Sequence, residues 1–231
     1  MLARLFEEIP RFFSHYNTIF LLKAAATTLC LSAGGCIMGL LIGFSLALIR
    51  ITRGQLLLPA RILSISYVES FRRVPFLVTL LFMFFVYHAL NLTVSVFIVG
   101  LTTVCLIAAS YTGEIVRAGM ESVHITQWEA TEAMNFTLVQ KLRLVILPQA
   151  WKVILPPLFY FFLGFIKDTA LASQIGVVEL TYSGKVLNNK GFSAALVFGT
   201  VLALYFTISY PLARFGAWME KKVGVSKDRR R

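Results

Sequence analysis

Residues 129–148, EATEAMNFTLVQKLRLVILP, form a polar, amphipathic segment between long apolar runs of the chain. Charged side chains are costly in the interior of a bilayer, by about 2.5–3.5 kcal/mol each on insertion scales. We therefore expect this segment to face water or another protein, with membrane-spanning helices before and after it. The segment predicts a membrane fold, and its pattern fits equally an amphipathic helix that lies on the membrane surface and a surface that is available for contact with a partner.

The composition supports a membrane protein. Of the 231 residues, 58% are hydrophobic and 14% are charged, whereas soluble domains average about 45–50% apolar and about 25% charged residues. The net charge of +11 lies in patches between apolar runs, which favours orientation in a membrane over nucleic-acid binding. The three cysteines lie in apolar stretches without metal-ligand spacing, so we expect packing roles and no metal site.

A spanning helix needs about 20 mostly apolar residues. Candidate spans cover residues 18–48, 63–90, 92–109, 153–166 and 194–217. The fourth is short and contains Pro156-Pro157, which predicts a broken or kinked helix. We predict an all-α, polytopic integral membrane protein with about five transmembrane helices.

Lysine and arginine collect in alternate loops, which predicts the orientation. The side richer in these residues, and hence the cytoplasmic side, carries Arg50, Arg53, Arg61, Arg117, Lys141, Arg143, Lys152, Lys221, Lys222, Lys227, Arg229, Arg230 and Arg231. The opposite side carries Arg4, Arg11, Lys167, Lys185 and Lys190. The N-terminus is thus predicted outside and the C-terminus inside. The regions are an extracytoplasmic tail (1–17), a transmembrane domain (18–220, with the polar loop at about 120–147) and a basic cytoplasmic tail (221–231).

Several ionisable residues lie at membrane depth and must pair, face water or act in transport. For Glu69 and Glu114, ion pairs that hold helices together are as good an interpretation as function. Arg72, Lys167 and Asp168 favour a polar cavity near the midplane, lined by helices interrupted at prolines. A cation and an acceptor together suit an amino-acid zwitterion.

The polar segment resembles the cytoplasmic coupling loop of ABC-type import permeases. That family has Glu-Ala-Ala, three residues, Gly, nine residues, then Ile-x-Leu-Pro; here Thr131, Asn135 and Val145 replace Ala, Gly and Ile. Thr131 should be tolerated. Asn is the next best residue after Gly at positive φ, so the turn at Asn135 should be kept.

Further blocks are similar to polar amino-acid import permeases of the histidine, glutamine and glutamate type. FRRVPFLV at 71–78 resembles Phe-Arg-Gly-Thr-Pro-Leu-Leu-Val, and SYTGEIVRAG at 110–119 resembles Ala-Tyr-Thr-Ala-Glu-Ile-Val-Arg-Gly-Gly. KDTAL at 167–171 resembles Lys-Asp-Thr-Ser-Leu, and GVVEL at 176–180 matches a further block. The resemblance covers roughly residues 20–220 and implies an ABC type I importer permease fold in the bacterial inner membrane.

The resemblance implies two groups of site residues. A substrate path would use Arg72, Arg73, Pro75, Phe161, Lys167, Asp168 and Thr169. Coupling to an ATPase would use Trp128, Glu129, Ala130, Thr131, Asn135, Leu147 and Pro148, within residues 124–143 and the block that follows. We expect no catalytic residue and no metal.

The resemblance also implies partners. A second copy or a related permease would complete the path, two ABC ATPase subunits would dock on the coupling loop, and an extracytoplasmic amino-acid-binding protein would dock on the N-terminal tail and the 167–192 loop. The chain lacks a P-loop, because Gly184-Lys185 is followed by Val186 and has no upstream glycine at the required spacing. ATP and Mg would therefore be bound by the partner ATPase, and this chain is expected to be neither an enzyme nor a nucleic-acid binder.

Substrate preference depends on Phe161, six residues before Lys167. In the resembled family, permeases for basic amino acids carry an acidic residue at this position. Its absence here, with the added charge of Arg73, favours a neutral or acidic polar amino acid. Alternatives are a non-binding half of a heterodimeric permease, an ATP-independent secondary transporter or channel, and a membrane scaffold.

Gly35, Gly39 and Gly43 form a face of small residues on the first span, which permits close helix approach either within the subunit or against a partner.

Overall fold

The structure is a computed structural model that describes residues 2–52 and 54–223, with side chains for 7–52 and 54–222. The regular secondary structure of this part of the chain is helical, in the order α1 (Leu2–Phe12), α2 (His15–Ile51), α3 (Leu58–Arg73), α4 (Phe76–Ala89), α5 (Val96–Glu121), α6 (Ile125–Ala133), α7 (Leu138–Gln140), α8 (Leu147–Asp168), α9 (Leu180–Asn189) and α10 (Ala194–Val223). Short 3-10 helices cover Gln55–Leu57 and Thr169–Ile175, and a π-helix covers Lys141–Ile146. Of the charges used for orientation, Arg53, Lys227, Arg229, Arg230 and Arg231 lie outside the described residues, as does the side chain of Arg4.

Within the described residues, four helical stretches are long and apolar enough to cross a membrane. They are His15–Ile51, Val96–Glu121, Leu138–Ile175 and Ala194–Lys222. The pair Gln55–Arg73 and Phe76–Ala89 passes the same test as one bent span and brings the number to five. The all-α prediction and the expected number of spans are confirmed, although each single-helix span is longer than its apolar core in the sequence.

The second predicted span, 63–90, is interrupted beside Pro75, in agreement with the prediction of helices that are interrupted at prolines. α3 ends at Arg73, and Pro75 has φ −58° and ψ 142° before α4 begins at Phe76. A residue that precedes proline is driven out of the α region by the proline ring, so Val74 ends the helix.

The fourth span continues as one helix through Pro156 and Pro157, so of the predicted break or kink the break does not occur. Each proline removes one helical hydrogen bond, and membrane helices tolerate this loss where their surroundings fix the backbone. Ile154 and Leu158, on either side of the prolines, are buried in one apolar cluster. Packing therefore keeps this helix intact.

The chain forms two compact units, each assembled from three separate stretches. The first unit takes the described parts of Met1–Ile37, Val74–Leu106 and Phe162–Leu212, and the second takes the described parts of Met38–Arg73, Ile107–Phe161 and Ala213–Arg231. The described positive residues assigned to the cytoplasmic side all fall in the second unit, and those assigned to the outer side fall in the first. The single transmembrane domain over 18–220 stays a prediction.

In the first unit, the N-terminal region that was expected to be a tail contains α1. Phe12 is buried with Leu21, Leu187 and Val197, and its ring meets Phe192 edge to face at 5.3 Å. The backbone N–H of Ser193 donates to Glu8 Oε2 at 2.8 Å. α1 is therefore fixed to the segment that joins α9 and α10.

The core of the second unit joins α2, α5, the last part of the polar segment and α8. Its buried members are Ala47, Val116, Met120, Val123, Leu142, Ile146, Ala150, Ile154 and Leu158. Trp128 packs against this cluster from the polar segment. The base of the segment is thereby attached to spanning helices.

The small-residue face of α2 packs within the subunit, against α5. In the first unit, a Cβ on Gly35 would lie 2.5 Å from Val104 Cγ1. In the second unit, Thr112 Oγ1 donates to the Gly39 carbonyl at 3.0 Å, and a Cβ on Gly43 would lie 2.6 Å from the Ala109 carbonyl oxygen. The sequence left open whether this face packs within the subunit or against a partner, and these contacts lie within the subunit.

Candidate functional site

The polar segment is built around a tight turn at Asn135, in the second unit. α6 ends in a Schellman motif, in which Phe136 N donates to the Thr131 carbonyl at 3.0 Å and Asn135 N donates to the Glu132 carbonyl at 2.9 Å. Asn135 has φ +52°, which glycine and asparagine adopt most readily. The expectation that Asn135 supports a positive-φ turn in place of glycine is confirmed.

A second set of contacts fixes the residues after the turn. Thr137 and Gln140 form a capping box at α7, with Thr137 N donating to Gln140 Oε1 at 2.8 Å. Lys141 Nζ lies 3.2 Å from Glu132 Oε1, which ties the π-helix back to α6. The turn is therefore held from both sides.

The π-helix precedes Pro148, and the two features are related. Proline has no N–H to offer to the carbonyl four residues earlier, and its ring crowds that carbonyl. A widened turn with longer hydrogen-bond spacing relieves this conflict, and such turns are frequent at functional sites. Gln149 Nε2 donates to the Val145 carbonyl at 3.0 Å and to Gln127 Oε1 at 3.3 Å. The start of α8 is thus linked to α6.

The polar segment, together with Ile125 before it, carries exposed apolar side chains, which we call the coupling face. Its members Ile125, Met134, Leu138 and Val139 are 59%, 64%, 39% and 70% exposed. Apolar side chains at these exposures beside polar ones are typical of a surface that a partner covers.

The predicted coupling residues occupy different depths. Glu129, Ala130, Asn135 and Pro148 are exposed, Trp128 and Leu147 are half-buried against the core cluster, and Thr131 is buried. The Thr131 hydroxyl donates to the Trp128 carbonyl at 2.7 Å, so threonine is accommodated where the family pattern has alanine. These exposures do not test the predicted role of any of the residues. They show which residues are accessible to a partner and which are packed inside and support the segment.

A cavity of about 720 Å³ lies beneath the segment, and we call it the coupling cavity. It is lined by Arg50, Ile51, Thr52, Arg61, Glu121, Val123, Ile125, Trp128, Glu129, Glu132, Phe136, Leu138 and Lys141. Both the end of α2 and the end of α5 reach it. The cavity was not predicted, because its lining comes from stretches far apart in sequence.

Two of the predicted substrate-path residues meet through Tyr111 in the second unit. The Arg72 guanidinium carbon lies 5.7 Å from the centre of the Tyr111 ring, and the Tyr111 hydroxyl donates to the Arg72 carbonyl at 3.3 Å. The Phe161 ring stacks on Tyr111 with a centroid distance of 4.5 Å. We call these three residues the aromatic–arginine site; its middle member was missed, since no sequence spacing relates Tyr111 to Phe161.

Two of the acidic residues at membrane depth, Glu69 and Glu114, form ion pairs within the second unit. Glu69 pairs with Arg73 at 2.6 Å on the exposed side of α3. Arg73 therefore does not add the unbalanced charge that the sequence argument gave it. Glu114 pairs with Arg50 at 2.8 Å and with Arg117, and Arg117 also pairs with Glu121. The i,i+3 and i,i+4 spacings along α5 would have indicated the last two contacts.

The other predicted path residues belong to the first unit. Pro75 precedes α4, which packs against the 3-10 helix that begins at Thr169. Lys167 and Asp168 are exposed at the end of α8, whereas Thr169 is buried. The seven predicted residues are thus divided between the two units, and each group is ordered within its own.

Glu179, inside the GVVEL block at 176–180, has a role that the sequence analysis did not assign. It is fully buried at the start of α9, and its carboxylate accepts hydrogen bonds from Thr181 N, Tyr182 N and Tyr205 Oη at 2.8, 2.7 and 2.7 Å. Burial raises the pKa of Glu179 above its usual value, although these donors pull in the opposite direction. Glu179 therefore caps α9 and joins it to α10 within the first unit.

No metal site can be assigned where the structure describes side chains, since they include no group of three or more His, Cys, Asp or Glu placed to hold an ion. Cys30, Cys36 and Cys105 are free thiols.

The chain is similar to known transport proteins over most of its length. A family model described as "Binding-protein-dependent transport system inner membrane component" matches residues 39–224. The L-cystine transport system permease protein TcyB of Bacillus subtilis (strain 168) is 34% identical over 188 residues, 81% of this chain and 79% of that protein. The probable amino-acid ABC transporter permease protein YckA of the same organism is 31% identical over 204 residues, 88% of each chain.

A solved structure described as an amino acid ABC transporter with histidines has a TM-score of 0.80, at 27% identity, and the match covers 89% of this chain and 94% of that one. The fold predicted from the resemblance, that of an ABC importer permease, is confirmed. The chain therefore belongs to the family of binding-protein-dependent transport system inner membrane components, among its amino-acid ABC transporter permeases.

Proposed function

We propose that this chain is the membrane-spanning subunit of an ATP-driven importer that receives a polar amino acid from an extracytoplasmic binding protein. A separate ATPase would drive it through residues 124–143, which we call the coupling segment. The observation that carries the proposal is the coupling face, held on a rigid turn at Asn135 and attached to the core of the second unit. ATP and Mg are bound by the ATPase, and the permease contributes the path.

Coupling follows from the way the segment is attached. The coupling face and Glu129 dock on the ATPase, and Trp128 and Leu147 connect the docked segment to α5 and α8 through the apolar cluster. When two ATPases close on ATP, the two coupling segments of a permease pair move together and the path switches from inward to outward access. The pair is a homodimer or a heterodimer with a related permease.

The substrate is a neutral or acidic polar amino acid. In the aromatic–arginine site, Arg72 supplies a cation for a carboxylate, and the stacked rings of Tyr111 and Phe161 form an uncharged wall that offers no anion to a basic side chain. Asp168, in the first unit, supplies an acceptor for an ammonium group. The names of relatives, which mention L-cystine and glutamine, agree with such a substrate.

The direct test is reconstitution in proteoliposomes with the ATPase and the binding protein encoded beside this chain, screened across amino acids. Stimulation of ATP hydrolysis and uptake by one loaded binding protein supports the importer and identifies the substrate. Gradient-driven transport by the chain alone would favour a secondary transporter. Hydrolysis that no ligand alters, without uptake, would favour a scaffold or the non-binding half of a heterodimer.

The coupling role has its own test. Glu129→Lys should leave the chain folded and inserted, because Glu129 is exposed, but should stop ATP-driven uptake by placing a cation on the docking surface. Glu220→Lys makes the same charge change near the end of α10, where Glu220 Oε2 accepts from Tyr160 Oη, and should transport normally. Normal uptake by the Glu129→Lys variant would reject the proposal.

A further inference from the structure

Glu114 is the meeting point of arginines from three helices of the second unit. Its Oε2 lies 2.8 Å from Arg50 Nη1 and 3.7 Å from Arg72 Nη1, and Arg117 pairs with both of its oxygens. The Glu114 side chain is 19% exposed. A carboxylate this enclosed orients several cations at once, because each must reach the same two oxygens.

The network extends in one direction to the coupling cavity. Arg50 lines that cavity directly, and Glu121, which pairs with Arg117, lines it too. Two separate routes, through Arg50 and through Arg117 with Glu121, therefore connect the cavity wall to Glu114. Glu129 of the coupling segment lines the same cavity.

In the other direction the network reaches the aromatic–arginine site. Arg72, the third partner of Glu114, lies over Tyr111, which stacks on Phe161. Charged and aromatic contacts thus run without interruption from the coupling cavity to the candidate substrate path, within one compact unit.

Arg72 is the most loosely held member of this network. Its distance to Glu114 is 0.9 Å longer than that of Arg50, as 3.7 Å compares with 2.8 Å. Its Nε is buried without a hydrogen-bond partner. A buried donor that lacks a partner costs about 1–3 kcal/mol. A carboxylate brought beside Arg72 would satisfy that donor, so Arg72 is suited to exchange partners.

We propose that Glu114 is a positioning residue, which sets the availability of Arg72 to a substrate carboxylate according to the state of the coupling segment. This inference rests on the proposed function. Movement at the coupling cavity shifts Arg50 and Glu121. This shift changes which of the three arginines, Arg50, Arg72 and Arg117, the Glu114 carboxylate binds. Arg72 is then either retained by Glu114 or released to the substrate. Discrete ion pairs thus couple the state of the coupling segment to the availability of Arg72.

The first measurement uses the purified chain in detergent and needs no ATPase. Arginine modification by phenylglyoxal at low extent, read by peptide mass spectrometry, reports how freely Arg72 is presented. Glu114→Gln should speed modification of Arg72 about threefold, the effect of losing one weak ion pair. Glu114→Asp keeps the charge and should restore most of the wild-type rate. Glu220→Gln, the same change outside the network, should have no effect. Equal Arg72 rates in the wild type and Glu114→Gln overturn the proposal.

The second measurement uses the complex with the ATPase, compared in nucleotide-free and ATP–vanadate-trapped forms. In the wild type the Arg72 rates of the two forms should differ by about fivefold, at the lower end of allosteric couplings. In Glu114→Gln the two rates should be equal, and in Glu220→Gln they should differ as in the wild type. A wild-type complex that imports substrate but shows no change at Arg72 overturns this inference alone. A chain that neither binds the ATPase nor imports overturns the proposed function, while the first measurement still decides the contact of Glu114 with Arg72.

A second variant keeps the proposal testable if Glu114→Gln does not fold. If Glu114→Gln does not elute as a folded protein in size-exclusion chromatography, Arg50→Gln cuts one route from the cavity and leaves Glu114 paired with Arg117. It should reduce the nucleotide-dependent change at Arg72, and an undiminished change overturns the proposal.

Discussion

Asn135 shapes the turn between two members of the coupling face. The Schellman bonds around it reverse the chain between Met134 and Leu138, and both of these apolar side chains are exposed. The requirement is for a left-handed backbone, which costs most L-residues about 1–2 kcal/mol. Asparagine meets it at lower cost than other non-glycine residues.

Substitutions at Asn135 should distinguish the effect of the backbone conformation from the effect of the side chain. Asn135→Val should destabilise the turn by about 1–2 kcal/mol, since a β-branched residue strongly disfavours positive φ, and should weaken ATP-driven uptake. Asn135→Gly should keep both stability and uptake. Thermal unfolding in detergent, together with uptake in proteoliposomes, measures the two effects. Unimpaired uptake by the valine variant would contradict the importance of this turn.

The contact of α2 with α5 depends on small residues, and the sequence revealed the small face but not its partner. At Gly43 an added Cβ would lie 2.6 Å from the Ala109 carbonyl oxygen and 2.7 Å from Gly113 N, and would overlap the Thr112 hydroxyl. Backbone atoms cannot move aside as a flexible side chain can. The two helices approach as closely as they do because residue 43 has no side chain.

Gly43→Ala should therefore destabilise the protein by about 1–3 kcal/mol through overpacking. Gly164→Ala, in α8, places its Cβ where no atom lies within 4 Å, so it should be neutral or stabilise by up to about 1 kcal/mol from helix propensity. Midpoints of thermal unfolding in detergent give both values. A tolerated Gly43→Ala would mean that α2 and α5 separate easily.

Hydropathy and proline differ in how well they predict the observed helices. Hydropathy predicted the existence of every span, because a bilayer requires long apolar helices whatever their packing. Proline was a weaker guide, since it ends α3 at Pro75 but leaves α8 continuous through Pro156. The difference is tertiary, as residues beside Pro156 are buried in the core of the second unit, and no local pattern contains that information.

The candidate site was also predictable only in part, because local sequence patterns do not contain information on how the helices pack. The turn at Asn135 is local, so the sequence indicated it correctly. The aromatic–arginine site unites Arg72, Tyr111 and Phe161, which are 39 and 50 residues apart along the chain. Their contact depends on how helices pack, and hydropathy does not specify that packing.

The division of positive charge between the two units makes the orientation of the whole chain testable. Lys190 is exposed in the first unit and Arg143 is exposed in the second. Lys190→Cys should react with a membrane-impermeant maleimide added outside intact cells, whereas Arg143→Cys should react only after permeabilisation. The native chain, with its three free cysteines, provides the background signal. The reverse pattern of labelling would invert the predicted topology.

Each compact unit draws on three separated stretches, and this has a consequence for synthesis. The buried hydroxyl of Thr28 accepts a hydrogen bond from Leu180 N, a residue made 152 positions later. At about 5–20 residues per second, α2 waits on the order of ten seconds or more for that partner. During this interval the Thr28 hydroxyl, which donates to the Ala24 carbonyl of its own helix, lacks this second partner. The time before the later stretches arrive, more than the strength of any finished contact, sets the period in which quality-control proteases can attack the nascent permease.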